Sequence, residues 1–235
     1  SINAAVTAAL AALPGLVRTY YVDAINGVDT NDGQTRAAPL QTINKAFTLA
    51  GPGRYNNSTP TADYTLATSI AVPKSSNVLI MAHDFDLAAN PNVRRKMTFL
   101  LSANTDPNIG AEWVMSGFRL AGTGTYSIDL VGIEIVLPSV PATGSLTSSN
   151  YNAVVSQNAN FGPGFVAVQL RSCAITTPAN PAGWVLGIVN SRAAALVINT
   201  VTYTAAQMAG HWISGLAAGS DPAASKRILT NLTTL

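Results

Sequence analysis

The chain has 235 residues, of which 48% are hydrophobic and only 10% are charged, well below the typical quarter. This length and apolar content suit the core of one all-β domain of ordinary size. The 13 basic and 11 acidic residues give a net charge of +2, and Arg94-Arg95-Lys96 is the only basic cluster, so we expect no nucleic-acid partner. No apolar run reaches the roughly 18 residues of a membrane span, so we expect no membrane insertion.

A chain with so few charges must either bury apolar surface or present neutral polar surface, and an oligomer that covers one flank of each subunit does both. Cys173 is the only cysteine, which excludes an intrachain disulfide, and its strand-like surroundings predict a small buried apolar side chain. Because the chain has no initiating Met, we expect a fragment or a processed product.

The first element is an Ala-rich helix over residues 1–13, which ends at Pro14-Gly15. Its apolar stripe includes Ile2, Val6 and Leu13, and a helix of this length is marginal alone in water. Its partner is either its own domain or other copies of itself. We favour self-association, with residues 1–15 as an oligomerisation stem, because the stripe has no charged flank.

The next element is a short strand over residues 20–22, followed by a loop rich in turns. Asn26-Gly27 and Asp32-Gly33 predict two tight turns at positive φ. The loop acids Asp23, Asp29 and Asp32 are expected to bond the loop to itself as Asx turns. A calcium loop is the alternative, but the Gly lies one position early for an EF-hand and the bidentate Glu is missing, so no metal is predicted.

A helix is predicted after Pro39, over residues 42–50, because Ile43, Ala46, Phe47 and Ala50 recur at helical spacing before Gly51-Pro52. Residues 51–63 then form a predicted loop rich in Gly, Pro, Asn and Ser.

The turn-rich stretch over residues 20–47 resembles the N-terminal signature of right-handed parallel β-helix proteins of the pectate-lyase-like superfamily, common in bacteriophage tailspikes and tail fibres. The resemblance rests on Val22-Asp23, Asn26-Gly27, Asp29, Asn31-Asp32-Gly33, Pro39, Thr42-Ile43 and Ala46. It covers about 28 of the 235 residues. The family includes lyases, hydrolases and binding proteins, so the resemblance implies a fold more than a chemistry.

Short β-branched and apolar runs separated by Gly, Pro, Asn and Ser follow this stretch and favour an all-β fold. Predicted strands cover residues 64–72, 77–82, 97–101, 112–120, 126–137, 153–156, 165–175, 184–190, 195–203 and 211–213. Taken with the resemblance, they predict a right-handed parallel β-helix of roughly six or seven rungs stacked at about 4.8 Å.

Two further helical pieces are predicted near the end of the chain, a turn over residues 205–210 and a short helix over 223–232. The predicted organisation is a stem over residues 1–15, a cap and loop over 16–63, a β-helix body over 64–215 and a C-terminal cap over 216–235. A cap is needed because exposed rung edges invite aggregation.

The outward side chains of such a stack form a flat surface that suits an extended polymer. A sugar chain binds neutral hydrogen-bonding groups and aromatic faces. The candidate carbohydrate-binding rings are Trp113, Tyr126, Tyr151, Trp184 and Trp212. Packing in the core or between subunits is the alternative role for each ring.

Catalysis would require paired carboxylates or a base beside a cation. Asp84 and Asp86 could share a strand face. Glu112, Asp129 and Glu134 could approach one another across rungs, and His83-Asp84 near Arg94 or Arg95 is the one arrangement typical of a lyase. Ordinary surface polarity is the alternative for each, so no catalytic residue and no cofactor is assigned.

The resemblance, combined with the neutral polar composition, predicts a homotrimeric tail fibre or tailspike. It would be extracellular on the virion, attached to other tail proteins, and would bind a bacterial surface polysaccharide, either lipopolysaccharide or capsule. The alternatives are a tailspike that depolymerises the polysaccharide and a secreted bacterial β-helix enzyme.

Overall fold

A computed structural model describes residues 17–52, 55–73, 76–86, 89, 93–103, 112–120, 124–146, 152–157, 164–188 and 193–235. The predicted stem helix and Tyr151 lie outside these residues. The described chain is mostly β-strand with few helices, which confirms the all-β prediction.

The helices of the described residues are all short: α1 Ile43–Ala50, α2 Ala205–Met208 and a 3-10 helix Pro222–Ser225. The strands are β1 Val17–Val22, β2 Tyr55–Pro60, β3 Tyr64–Leu66, β4 Ile70–Val72, β5 Asn77–Met81, β6 Arg95–Phe99, β7 Leu101–Ala103, β8 Glu112–Met115, β9 Phe118–Leu120, β10 Thr125–Val131, β11 Ile133–Val136, β12 Ser145–Leu146, β13 Ala153–Gln157, β14 Phe165–Arg171, β15 Ala174–Thr176, β16 Trp184–Gly187, β17 Ala194–Asn199 and β18 Ile228–Thr230.

The strands form four sheets, and the pairing is parallel almost throughout. A seven-stranded sheet has the order β1-β2-β5-β10-β14-β17-β18, and two four-stranded sheets have the orders β15-β11-β6-β3 and β16-β13-β9-β4. Every pair in these three sheets is parallel. The small sheet β12-β8-β7 contains the antiparallel pair of β7 with β8.

Consecutive strands pass from sheet to sheet. The chain leaves the seven-stranded sheet after β14, contributes β15 and β16 to the two four-stranded sheets, and returns to the seven-stranded sheet as β17. The first two strands, β1 and β2, belong to the same seven-stranded sheet as β5 and β10.

The core is built from side chains at alternate strand positions. Ile80, Leu130 and Leu170 are in register on three neighbouring strands and are fully buried. Met97, Ile135 and Ile175 form a comparable buried row in a four-stranded sheet. Burial of apolar area in each row stabilises the fold by about 25 cal/mol per Å², so these rows supply the main stabilisation.

Helix α1 agrees with its predicted bounds and its predicted buried face. Ile43, Ala46, Phe47 and Ala50 are buried, and the Thr42 side chain accepts a hydrogen bond from the Lys45 N–H at 3.1 Å. A side-chain oxygen at this position satisfies one of the unpaired N–H groups of the first turn. The helix therefore starts where the sequence indicates.

Asp23 and Asp32 bond the loop to itself, as predicted, whereas Asp29 bonds the start of helix α1 instead of forming an Asx turn. Asp23 accepts from the Ile25 and Asn26 N–H groups, and Asp32 accepts from Gln34 N–H. Asp29 reaches further, because its carboxylate accepts from the backbone N–H groups of residues 41 and 42 at 2.9 Å each and from the Thr42 hydroxyl at 2.8 Å.

Gly is required at the two predicted turns for different physical reasons. Gly33 has a φ of 68°, as expected for a turn that favours Gly. Gly27 does not have a positive φ; instead, a Cβ at this position would lie 2.2 Å from the Leu40 carbonyl oxygen. At Gly27 the requirement is close backbone approach, so that part of the prediction was wrong.

Several predicted boundaries are also wrong. The predicted loop over 51–63 contains β2, and the run 211–213 contains only an isolated bridge between Ile213 and Leu186. The predicted helix over 223–232 is a 3-10 helix followed by β18, because Lys226 adopts a φ of 55° and ends the helical turn. Four long predicted strands, over 64–72, 112–120, 126–137 and 165–175, each break in two.

The breaks in the runs 126–137 and 165–175 come from left-handed backbone at stacked corners. Gly132 lies between β10 and β11 with a φ of 63°, and Ser172 follows β14 with a φ of 50°. Val131 and Arg171 are in register, so these corners lie beside each other. Each corner turns the chain from the seven-stranded sheet into a four-stranded sheet.

Candidate functional site

The outward side of the seven-stranded sheet carries rows of amide and hydroxyl side chains. One row in register contains Thr19, Asn57, Leu79, Asp129 and Gln169. Seven of the outward residues that carry rings, amides or charges on this sheet are here called the amide face: Tyr21, Tyr55, Asn57, Asn77, Asp129, Gln169 and Arg171. Its side chains alternate with core residues along each strand, which is why they share one side.

An ion pair fixes the centre of the amide face. Arg171 Nε donates to Asp129 Oδ1 at 3.1 Å, and Arg171 Nη2 donates to Asp129 Oδ2. This hydrogen bonding, with a smaller contribution from Tyr55, raises the pKa of Arg171. The carboxylate and guanidinium therefore hold each other in one orientation on a partly exposed surface.

A second group of polar side chains lies at the corner beside the amide face and is here called the corner cluster: His83, Asp84 and Arg95. His83 Nδ1 lies 2.7 Å from Asp84 Oδ1, and Arg95 Nη2 bonds Asp84 Oδ2. The Tyr21 ring packs on the His83 ring with centroids 5.5 Å apart. The cluster therefore continues directly from the amide face.

The backbone around the corner cluster is held by three neighbouring strands. The His83 N–H donates to the Pro60 carbonyl at 3.0 Å, and the Arg95 N–H donates to the Gly132 carbonyl at 3.3 Å. Phe85 packs under Gly132 so closely that a Cβ there would lie 2.4 Å from the ring. Because these contacts come from the ends of neighbouring strands, they hold the backbone of the cluster in place.

The corner cluster has the electrostatics of an aspartate and histidine dyad. The hydrogen bond from His83, together with Arg95, holds the pKa of Asp84 below its ordinary value, although burial opposes the shift. A carboxylate bonded to Nδ1 favours the proton on Nδ1, which leaves Nε2 as the basic nitrogen of a neutral imidazole. Within the described residues Nε2 makes no hydrogen bond. His83, Asp84 and Arg95 have side chains 23%, 33% and 27% exposed.

The structure brings only some of the acidic candidates near other functional groups. Asp84 belongs to the corner cluster, whereas Asp86 accepts from the Ala89 N–H at 2.9 Å within the same turn. Both lie beyond the end of β5, so they do not share a strand face.

Glu112, Asp129 and Glu134 lie in three different sheets. Glu134 accepts from the Thr176 hydroxyl at 2.8 Å, and Asp129 is held by Arg171. The Gly132 corner separates β10 from β11, which sends Asp129 and Glu134 onto different surfaces.

The predicted rings occupy separate places. Tyr126 and Trp212 are both 3% exposed, and Trp212 packs edge-on against Tyr203 with centroids 4.9 Å apart. Trp113 and Trp184 are half-buried in different sheets, and their indole N–H groups donate to the carbonyls of residues 143 and 210. No shared platform forms from these rings among the described residues, and Tyr151 lies outside them.

Tyr21 and Tyr55 are the surface rings that the sequence reasoning did not select. The available signal was alternation: Tyr21 follows the buried Tyr20, and Tyr55 precedes the buried Asn56. The tyrosines could be assigned to the surface only once β2 was known to be a strand of the same sheet as β1.

Within the described ranges no group of three or more His, Cys, Asp or Glu side chains is arranged to hold a metal ion. The same residues contain no helix with the length and hydropathy needed to cross a membrane. In comparisons with protein-family models, curated proteins and solved structures, nothing matched this chain.

Proposed function

We propose that the chain is a right-handed parallel β-helix from a bacteriophage tail fibre or tailspike, and that it binds a bacterial surface polysaccharide through the amide face. Three features support the fold: parallel pairing in register, the passage of the chain from sheet to sheet and back, and the N-terminal loop that resembles this family. As part of the virion, such a protein meets two polymers of the bacterial surface, lipopolysaccharide and capsule.

The observation that carries the binding proposal is the content of the amide face. Asn77 and Gln169 offer paired donors and acceptors, and Tyr21 and Tyr55 offer apolar ring faces. Tyr55 and Asn77 are in register on neighbouring strands, about 4.8 Å apart, and Gln169 lies further across the same sheet, two strands beyond β5. A sugar chain presents hydroxyls and C–H patches alternately, so it matches a mixed surface of this kind better than a charged or wholly apolar one.

The oligomer that we propose is a homotrimer attached to other tail proteins, extracellular on the virion. Support comes from the low charge of the chain and from apolar side chains left outward on the last strands, such as Val197 and Leu229, which are 36% and 68% exposed. Covering such side chains between subunits removes apolar area from water.

A depolymerising tailspike is the second candidate, and the corner cluster favours a lyase over a hydrolase. In a lyase, His83 Nε2 would take the proton from the carbon next to a uronate carboxylate. The glycosidic C–O bond would then break in a β-elimination, a C=C double bond would form in the sugar, and the leaving oxygen would take a proton. A hydrolase would instead need two carboxylates about 5 to 9.5 Å apart, and the acidic candidates are dispersed.

Binding is tested with purified lipopolysaccharides and capsular polysaccharides immobilised on a sensor surface. We expect retention of the native chain and a clear loss of retention for the pair Tyr55→Ala and Asn77→Ala. Asn44→Ala, an exposed amide on helix α1, is the matched control and should bind as the native chain does. Equal binding by the double variant would contradict the amide face as the binding surface.

The same polysaccharides distinguish the two candidates when chain length is followed by size-exclusion chromatography. A binding protein leaves polymer length unchanged. Shortened chains that carry the ultraviolet absorbance of an unsaturated sugar, and that disappear with His83→Ala, would establish the lyase instead.

A further inference from the structure

Arg94 lies at the corner where the amide face meets the corner cluster. It precedes the first residue of β6, and its Nε donates to the carbonyl of Ser172 at 3.0 Å. Ser172 is itself fixed, because its N–H donates to the Asn199 carbonyl at 2.9 Å. One edge of the Arg94 guanidinium is therefore anchored to the rigid stack of turns.

Three arginines lie at this corner, and two of them are paired with carboxylates. Arg95 is paired with Asp84, and Arg171 is paired with Asp129. Arg94 makes no ion pair with a carboxylate in the described part of the chain, and its two terminal NH2 groups make no hydrogen bond to the described residues. Asp84 is bonded on both oxygens, to His83 and to Arg95.

The position of the Arg94 guanidinium is set by the hydrogen bond from its Nε. Its Nε bond places the guanidinium beside the backbone between Arg171 and Cys173, and its positive charge acts on the Cys173 thiol. A guanidinium that is half-buried and held through Nε has little rotational freedom left to lose when a ligand binds.

We propose that Arg94 is a subsite for the acidic group of a sugar, either a carboxylate or a phosphate, in a polysaccharide that lies along the amide face. This inference rests on the proposed polysaccharide binding and adds the chemical class of the ligand. A guanidinium presents parallel N–H donors that match the two oxygens of a carboxylate or phosphate. Neutral hydroxyls on the same polysaccharide would be bound by Asn77 and Gln169.

The test is an array of bacterial polysaccharides in three groups, which are neutral, carboxylate-bearing and phosphate-bearing. We compare the native chain with Arg94→Gln, Arg94→Lys and the control Arg36→Gln, which alters an exposed arginine in the loop before α1. Arg94→Gln should weaken binding of acidic polymers on the order of tenfold and leave neutral polymers unaffected. Arg94→Lys should retain part of the phosphate binding and lose most of the carboxylate binding, since Lys is a point charge.

A second arm leaves the protein unaltered, so it stands even if a variant fails to fold. Each carboxylate-bearing polymer that binds is chemically reduced at its carboxyl groups and measured again with the native chain. Binding should fall on the order of tenfold, and each phosphate-bearing polymer should respond in the same way to removal of its phosphate.

The outcomes separate the two proposals. If the native chain binds polymers of all three groups and neither the reduction nor Arg94→Gln discriminates among them, the acidic subsite is overturned and polysaccharide binding stands. If the native chain binds no polymer on the array, the proposed function itself is rejected and the subsite with it. Selective loss of acidic ligands, with Arg36→Gln unchanged, supports the subsite.

Discussion

The side-chain oxygen Oδ1 of Asn152 accepts a hydrogen bond from the Met115 N–H at 2.8 Å, although 37 residues separate them in the chain. The Asn152 backbone carbonyl accepts from the Trp184 N–H at 2.9 Å. Asn152 is fully buried. Asn152, which immediately precedes β13, thus links the end of β8 to the start of β16.

Asn152→Ala should reduce the free energy of unfolding by about 1 to 3 kcal/mol, because it leaves the buried Met115 N–H without a partner. Urea unfolding followed by circular dichroism measures the change. Asn44→Ala, on the exposed side of α1, is the control and should stay within about 0.5 kcal/mol. Equal stability of Asn152→Ala and the native chain would contradict the role of this side chain.

At corners with left-handed backbone, introducing Gly should stabilise the fold and removing Gly should destabilise it. Thr200 has a φ of 56°, which is unfavourable for a β-branched residue, so Thr200→Gly should raise the free energy of unfolding by about 1 kcal/mol. Gly132→Ala should lower it by more than that, because the added Cβ would lie 2.4 Å from the Phe85 ring. Thermal unfolding of the two variants tests the pair, and a shift of both midpoints in the same direction would contradict the explanation.

We expect Asp84 to contribute to the loss of folding stability at low pH. Its folded-state pKa is lowered by His83 and Arg95 from the ordinary value of 3.8, so its contribution is fully present above that value and is lost as the pH falls through the lower folded-state pKa. Asp84→Asn should therefore show a smaller decrease in the free energy of unfolding from about pH 5 to about pH 2. Arg95→Gln should act in the same direction, and pH profiles parallel to the native one would disprove the coupling.

Cys173 should be inert in the folded chain. Burial raises the pKa of its thiol to about 11 from 9.0, and the side chain is fully buried. Iodoacetamide at mildly alkaline pH should label the urea-unfolded chain rapidly and the native chain slowly.

The same shift gives a pH dependence of opposite sign to that of Asp84. Since the unfolded thiol ionises first, the free energy of unfolding should fall as the pH rises from about 9 towards 11. Cys173→Ala should lack this component, and rapid labelling of the native thiol would show that the site is open to solvent.

Local patterns were sufficient for α1 and for the turns at Asp23 and Gly33 in the loop before it. The spacing of Ile43, Ala46 and Phe47 acts within one helix, so the sequence alone predicts it, and the structure adds the cap at Thr42. β2 escaped prediction because its buried positions are polar. Asn56 donates to the Ala46 carbonyl and accepts from Ser58, and only the packed helix makes that burial favourable.

The corner cluster was partly visible in the sequence because His83, Asp84 and Arg95 are close along the chain. The pattern left open whether Arg94 or Arg95 meets Asp84, and the structure selects Arg95. The Asp129 and Arg171 pair spans 42 residues, and its formation depends on the register of β10 with β14. Register is a tertiary property, so the amide face could not be assembled from local periodicity.

The strict alternation of buried and outward side chains along β5 and β14 separates two kinds of constraint on sequence change. Interior positions such as Ile80 and Leu170 must keep their volume, whereas outward positions such as Asn77 and Gln169 can be exchanged with little effect on folding. Under the proposed polysaccharide binding, ligand preference can therefore change by surface substitution alone, and randomised libraries at these outward positions would sample new specificities without altering the core.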